Sequence, residues 1–187
     1  MSKPARLPQL QLQRLRKGYP CLTSVSGARL AHAAGFCLEQ QRHQKGVTLD
    51  VQGASAETLE ATFTLTWPKV TEQVRKEWGD PVEATENGAC GIAILLVEAL
   101  TDYHIVHRSY RSTGIDYWLA KKEDELLQNA ARLEVSGIRR GIERMNARLA
   151  AKLKQTSQSD DTALPAIVIV IEFGQPVAAL GHKCPVT

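Results

Sequence analysis

Two acidic residues interrupt apolar runs that otherwise favour β-strands. Asp116 lies within the run 115–119, and Glu134 stands between Leu133 and Val135. A single carboxylate in such a run costs free energy to bury unless it has a partner. Two of them on neighbouring strands indicate a shared cation.

Strand alternation predicts where these side chains point. Because successive residues face opposite sides of a strand, Arg132, Glu134 and Ser136 share one face of the second run. In the first run, Asp116 and Trp118 share a face. The carboxylate of Glu134 and the hydroxyl of Ser136 are therefore expected to point the same way.

Composition sets the broad class of the protein. The chain has 187 residues, of which 43% are hydrophobic and 23% charged, typical of a soluble globular chain with one core. Its net charge of +3 is too small to indicate nucleic-acid binding by itself. Neither a signal-peptide pattern nor an apolar run of membrane-spanning length occurs, so we expect a cytoplasmic protein with no membrane partner. The cysteines lie too far apart for a zinc ribbon or a disulfide framework and are expected to be free thiols: Cys21, Cys37, Cys90 and Cys184.

The first 81 residues divide into two segments. Residues 1–25 mix Pro, Gln, Arg and Lys and predict an extended basic arm. Residues 26–81 predict an accessory helix capped by Ser26, followed by an alternating β-hairpin that turns at 53–55. A short helix near Val74 completes this layer.

The remaining residues, 82–187, predict the main core. A mostly apolar helix is expected to begin at Glu86 with Thr85 as its cap, and the carboxylate of Glu86 suits the positive end of the helix dipole. A strand follows at 103–110. The two acidic strand runs come next along the chain.

A long amphipathic helix is expected after the second acidic run, with an apolar stripe from Ile138 to Leu153. Its outer face is basic, which fits either a solvated surface or a phosphate-contacting surface. A continuous apolar run at 166–171 predicts a strand covered on both faces, and 177–180 predicts a final edge strand. The candidate nucleic-acid-binding residues of the helix are Arg139, Arg140, Arg144, Arg148 and Lys152.

From Glu86 onward the element order is helix, strand, strand, strand, helix, strand. In this order and in its acid placement the chain resembles the PD-(D/E)XK nuclease superfamily. The resemblance covers the last hundred residues or so and implies an α/β fold: a mixed central β-sheet flanked by helices, with the N-terminal helix and hairpin as an extension. It also implies that Asp116, Glu134 and Glu86 hold Mg²⁺ or Mn²⁺.

One position departs from the family pattern. Ser136 stands where the family normally has a lysine, and a hydroxyl cannot supply that positive charge. Since some members of the family recruit a basic residue from elsewhere, Lys121 and Lys122 are the first candidates for the catalytic set, followed by Arg132 and Arg139.

The expected function is a metal-dependent endonuclease acting on nucleic acid, with DNA as the expected substrate. One alternative is a catalytically inactive subunit with the same fold that binds a protein partner or a second copy of itself. In that case Asp116 would pair with Arg132 or Arg108. Another alternative is a nucleic-acid-binding module that does not cleave.

Overall fold

The computed structural model describes residues 7–53 and 60–184, which build one mixed eight-stranded sheet. Across the sheet the strands lie in the order β1-β3-β2-β8-β7-β6-β5-β4. In chain order the strands are β1 (Gln9–Gln11), β2 (Val47–Gly53), β3 (Ala61–Thr66), β4 (Tyr103–Arg108), β5 (Tyr117–Lys121), β6 (Ala131–Ile138), β7 (Ala166–Glu172) and β8 (Val177–Lys183).

Helices cover both faces of this sheet. Within the described ranges they are α1 (Ser24–Gln40), α2 (Glu72–Glu77), α3 (Pro81–Leu100) and α4 (Met145–Gln155). Helices α1 and α3 pack against each other over the larger core, whereas α4 packs on β6, β7 and β8 through a separate apolar cluster that includes Met145 and Leu149. The α/β class with a mixed sheet flanked by helices is confirmed. Among these helices none combines the length and apolarity needed to cross a membrane.

The order of elements in the C-terminal part is also confirmed. Helix α3 leads into β4, β5 and β6, which pair as an antiparallel meander. Helix α4 then returns the chain so that β7 pairs parallel with β6. All seven residues of β7 are buried, as expected for a strand covered on both faces.

Strand β8 is not an edge strand, so that prediction is wrong. It lies between β7 and β2, pairing antiparallel with the first and parallel with the second. The hairpin of β2 and β3 therefore extends the same sheet instead of forming a separate accessory layer. Its connecting residues, 54–59, lie outside the described residues.

The described part of the N-terminal arm packs against the rest of the fold and does not project from it. Strand β1 pairs parallel with β3, and a 3₁₀ turn at Leu12–Lys17 follows it. Leu12 and Leu15 are fully buried because this turn lies against α1. Residues 1–6 lie outside the described residues.

Two helices begin earlier than expected. Thr23, not Ser26, caps α1, because its hydroxyl accepts a hydrogen bond from the Ser26 amide. Asp80 caps α3, because its carboxylate accepts a hydrogen bond from the Val82 amide at 2.8 Å. Pro81 is the first helical residue, a position where the amide proton that proline lacks would have no partner within the helix. Thr85 is consequently an internal, buried residue of α3.

The basic helix begins later than expected. Ile138 still belongs to β6. Gly141 has a φ of 132°, which is not a helical conformation, and a short 3₁₀ turn follows it at Ile142–Arg144. Arg139 and Arg140 thus lie in a turn, and only the basic residues from Arg148 onward lie within α4.

Arg132 has a structural role, which excludes it as a partner of Asp116. Its side chain is 1% exposed, it forms an ion pair with Asp160 at 3.2 Å, and it donates to the backbone oxygens of Thr156 and Leu164. These contacts fix the 3₁₀ segment Thr156–Thr162 that follows α4.

We expect Arg132→Met to lower the free energy of unfolding by about 3 kcal/mol, because it leaves buried acceptors without a donor. Urea denaturation of the variant and of Arg16→Met, which changes an exposed arginine, measures this. Equal midpoints for the two variants would contradict the structural role.

Candidate active site

A cavity of about 680 Å³ opens where β5 begins and β6 passes between α3 and α4. It brings together most of the residues that the sequence marks as candidates. Its acidic lining residues are Glu86, Asp116 and Glu134. Its basic lining residues are Arg108, Arg111, Arg139, Arg144, Arg148 and Lys152.

Asp116 and Glu134 lie side by side, as the sequence predicts. Tyr117 pairs with Leu133, so continuing this antiparallel register by one residue sets Asp116 opposite Glu134. The Asp116 amide donates to the Leu133 carbonyl at 2.8 Å, and Asp116 Oδ2 accepts from the Val135 amide at 2.8 Å. The strand backbone therefore fixes one carboxylate beside the other.

Glu134 is a buried carboxylate with an unusual proton affinity. Its side chain is 4% exposed, and Oε1 accepts hydrogen bonds from Lys152 Nζ at 2.6 Å and from Gln155 Nε2 at 3.0 Å. Burial, followed by the neighbouring charge of Asp116, raises the pKa of Glu134 to about 7, although Lys152 acts in the opposite direction. Burial therefore favours the protonated form of Glu134, and the neighbouring carboxylate adds to this effect.

Lys152 places a positive charge beside Glu134, on the strand face that also carries Ser136. It reaches Glu134 from α4, while Arg148 Nη1, one turn earlier on the helix, donates to the Ser136 hydroxyl at 3.1 Å. The sequence contained a signal for this arrangement. Lys152 follows the buried Leu149 by three residues, which places it beside the apolar stripe and toward the sheet.

Lys121 and Lys122 do not approach the acids, so that prediction is corrected. Lys121 pairs with Tyr103 at the far end of β5, five residues or roughly 16 Å of strand from Asp116. Lys122 Nζ donates to the carbonyls of Glu98 and Thr101, each at 2.7 Å, at the C-terminal end of α3. Those carbonyls lack helical donors and hold the ammonium there.

Glu86 lies in the second turn of α3, where it is exposed and lines the same cavity. Within the described ranges, however, no three side chains of His, Cys, Asp or Glu converge closely enough to form a metal site. The expected three-carboxylate set is therefore not assembled. The close pair is Asp116 with Glu134.

Two glycines allow the elements around the cavity to approach each other. A Cβ at Gly137 would lie 2.6 Å from the Thr85 carbonyl, so only glycine lets α3 pack this closely on β6. A Cβ at Gly114, whose φ is 75°, would lie 2.3 Å from the Gln155 carbonyl at the end of α4. Both glycines set the width of the site.

The cysteine thiols do not provide a nucleophile for this site. All four cysteines are free, and Cys90 lines the cavity. Burial raises the pKa of the Cys90 thiol to about 12, with Asp116 adding to the rise. Since the thiolate is the reactive form, Cys90 is expected to be inert.

The raised pKa of Glu134 gives a testable pH dependence. In metal-free protein we expect the ¹³C carboxyl signal of Glu134 to titrate near pH 7. Asp116→Asn should lower this midpoint by removing a neighbouring charge, and Lys152→Met should raise it. A midpoint in the ordinary glutamate range for wild type and both variants would contradict this environment.

Stability should follow the same titration. Between the usual glutamate pKa and about pH 7 the native state holds a proton that the unfolded state has lost, so the contribution of Glu134 to stability falls as pH rises through this window.

The chain was also compared with known proteins. No family model matches the chain, and searches of the curated proteins and of the solved structures find no match.

Proposed function

We propose that the protein is a metal-dependent nuclease that hydrolyses phosphodiester bonds of nucleic acid, with DNA as the expected substrate. The observation that carries this proposal is the pair of adjacent carboxylates, Asp116 and Glu134, with the ammonium of Lys152 at 2.6 Å from the second. A divalent cation held by carboxylates polarises a phosphate, and a cationic side chain beside it offsets the negative charge that develops.

The residues present fit a divalent cation. Mg²⁺ and Mn²⁺ take oxygen ligands, and Mg²⁺ usually keeps several waters, so one or two carboxylates are sufficient. Both hydrogen bonds to Glu134 use Oε1, and the backbone bond to Asp116 uses Oδ2. The Val135 amide contacts Asp116, so the backbone of β6 lies against this carboxylate. When bound, such an ion polarises the phosphate and lowers the pKa of a water.

The basic residues have separable roles in this proposal. Lys152 stands where it can offset the negative charge that develops on the phosphate. Arg148 is held by Ser136 at 3.1 Å and presents a guanidinium at the mouth of the same cavity. Six basic and three acidic side chains line this cavity, an excess that favours a polyanionic substrate.

The arrangement of elements supports a restriction-endonuclease-like core. An antiparallel meander, a crossover helix and a parallel fourth strand follow α3 in the order that the resemblance implies. Asp116 precedes the second of these strands and Glu134 lies in the third. Since one fold hosts many activities, the activity is proposed from the residues of the site.

The test is cleavage by the wild-type protein. Supercoiled plasmid and end-labelled single- and double-stranded oligonucleotides would be incubated with Mg²⁺, with Mn²⁺ and with EDTA. We expect nicked or shortened products in either metal and none in EDTA. Cleavage that persists in EDTA, or no cleavage of any substrate, would contradict the proposal.

Two observations favour a second candidate, nucleic-acid binding without cleavage. Lys152 already neutralises Glu134 directly, and Glu86 does not join the carboxylate pair within the described residues. A protein of this kind would bind oligonucleotides equally well in Mg²⁺ and in EDTA. It would release no product in either.

A further inference from the structure

A second cavity of about 620 Å³ adjoins the candidate active site. The two cavities share Arg139 and Arg144, so they are neighbouring parts of one surface. The residues that line only the second cavity come from the C-terminal end of α1 and from the turn before α4. They are Gln40, Gln41, Arg42 and Arg140.

Positive charge dominates this second cavity. Its lining has four arginines and two glutamines and, among the described residues, no carboxylate. Ion pairs in the described ranges do not include Arg42, Arg139 or Arg140, and that of Arg144 with Glu143 is exposed and 3.7 Å long. Guanidinium groups gathered with so little counter-charge repel one another, and a bound anion lowers this cost.

Arg42 has a left-handed backbone conformation that a hydrogen bond to the end of α1 fixes. It lies just beyond the end of α1 with a φ of 65°, a conformation in which glycine is the favoured residue. Its amide donates to the Glu39 carbonyl at 2.9 Å, which closes the last turn of the helix. The chain thus keeps a long cationic side chain at a position that favours glycine.

The opposite wall of the cavity is also fixed before any ligand binds. Glu172 is 1% exposed, and its carboxylate accepts hydrogen bonds from three backbone amides. These are the amides of Gly141 and Gly174, each at 3.0 Å, and of Gln175 at 2.6 Å. The bond to Gly141 anchors the turn that carries Arg140.

We propose that this second cavity binds a phosphate group of the nucleic-acid strand whose scissile phosphate lies in the candidate active site. The inference rests on the proposed function. Arginine guanidinium groups donate two parallel hydrogen bonds to phosphate oxygens, and the glutamine amides add neutral donors. Because the two cavities share Arg139 and Arg144, one strand can reach both. The phosphate is either internal to the strand or terminal.

The experiment measures binding without catalysis. Fluorescence anisotropy in EDTA would give the affinity of the wild type and of Arg42→Gln/Arg140→Gln for single-stranded oligonucleotides, across a series of salt concentrations. Arg16→Gln, an exposed arginine outside both cavities, is the matched control. We expect the double variant to bind roughly tenfold more weakly, with a salt slope lower by about one or two. The control should bind like wild type.

Oligonucleotides that differ in their end groups distinguish a terminal phosphate from an internal one. Oligonucleotides with a 5′-phosphate, with a 3′-phosphate and without either would be compared. A terminal-phosphate site predicts that removing one end group weakens wild-type binding as much as the double substitution does. An internal-phosphate site predicts that all three ligands bind equally and remain sensitive to the substitution. Either pattern supports the proposal.

Equal affinity and slope for the double variant and wild type would overturn the proposal, as would no binding of any oligonucleotide by wild type. Thermal denaturation of both variants would establish that they fold. This binding test and the cleavage test of the proposed function can fail independently, because binding in EDTA needs no cleavage. A protein that cleaves but whose double variant binds normally refutes the second site alone.

Discussion

Replacing Glu134 by Gln or Asp116 by Asn is expected to reduce metal-dependent cleavage by roughly a thousandfold or more. Each change removes one of the two charged oxygen ligands that the site offers to a divalent cation, and stabilisation of that kind contributes several kcal/mol. Single-turnover cleavage of an end-labelled oligonucleotide in Mg²⁺ and in Mn²⁺ measures the loss.

Folding controls this experiment. Asn at position 116 can still accept the Val135 amide, so Asp116→Asn should unfold at a temperature close to that of wild type. Glu86→Gln is the matched acid replacement in the same cavity, and its effect should be much smaller because Glu86 is not part of the close pair. Full activity in both Asp116→Asn and Glu134→Gln would refute the assignment of the metal ligands.

Replacing Lys152 by Met is expected to slow cleavage by roughly a hundredfold to a thousandfold while metal binding persists. The ammonium contacts Glu134 at 2.6 Å and is positioned to offset negative charge on the phosphate. Removing one such stabilising group slows a reaction by a factor of this size. Binding of the divalent cation depends on the carboxylates and not on Lys152, so the affinity for Mn²⁺ should stay the same or rise. Rates and Mn²⁺ titrations of one preparation would separate the two effects.

Lys154→Met provides the control, since Lys154 lies on the same helix but is exposed and does not line the cavity. Lys121→Ala and Lys122→Ala should also cleave like wild type, because neither lysine reaches the site. A normal rate in Lys152→Met, or a severe loss in Lys121→Ala, would show that another residue supplies the positive charge.

The acid pair could be predicted from the sequence because it depends on local pattern. Strand alternation orients Glu134, and the apolar runs predict both strands, although Asp116 lies one residue before β5 and not within a strand as predicted. The order of elements follows from the same periodicities. Strand β7 was equally clear, since a run of six apolar residues before a turn indicates burial on both faces.

The contact of Lys152 with Glu134 is a tertiary contact that closeness in sequence does not reveal. Lys121 and Lys122 are nearer to Asp116 in sequence, yet strand geometry carries them away from it, whereas α4 brings Lys152 back across the sheet. Sequence separation was a poor guide to distance here. The spacing of Lys152 from Leu149 was the more useful signal.

Strand pairing at the N-terminal side of the sheet could not be predicted for a related reason. Nothing local shows that β2 pairs parallel with β8, since that contact joins segments more than a hundred residues apart. An edge strand and an interior strand have similar sequences when both are apolar. The packing of Leu12 and Leu15 likewise depends on α1, which follows them in the chain.

The most direct measurement is anomalous diffraction from crystals of the wild-type protein soaked in Mn²⁺. We expect a peak within coordination distance of a carboxylate oxygen of Asp116 and of Glu134. A peak held by other residues, or no peak while Lys152 remains bound to Glu134, would contradict the claim that these two carboxylates form a metal site.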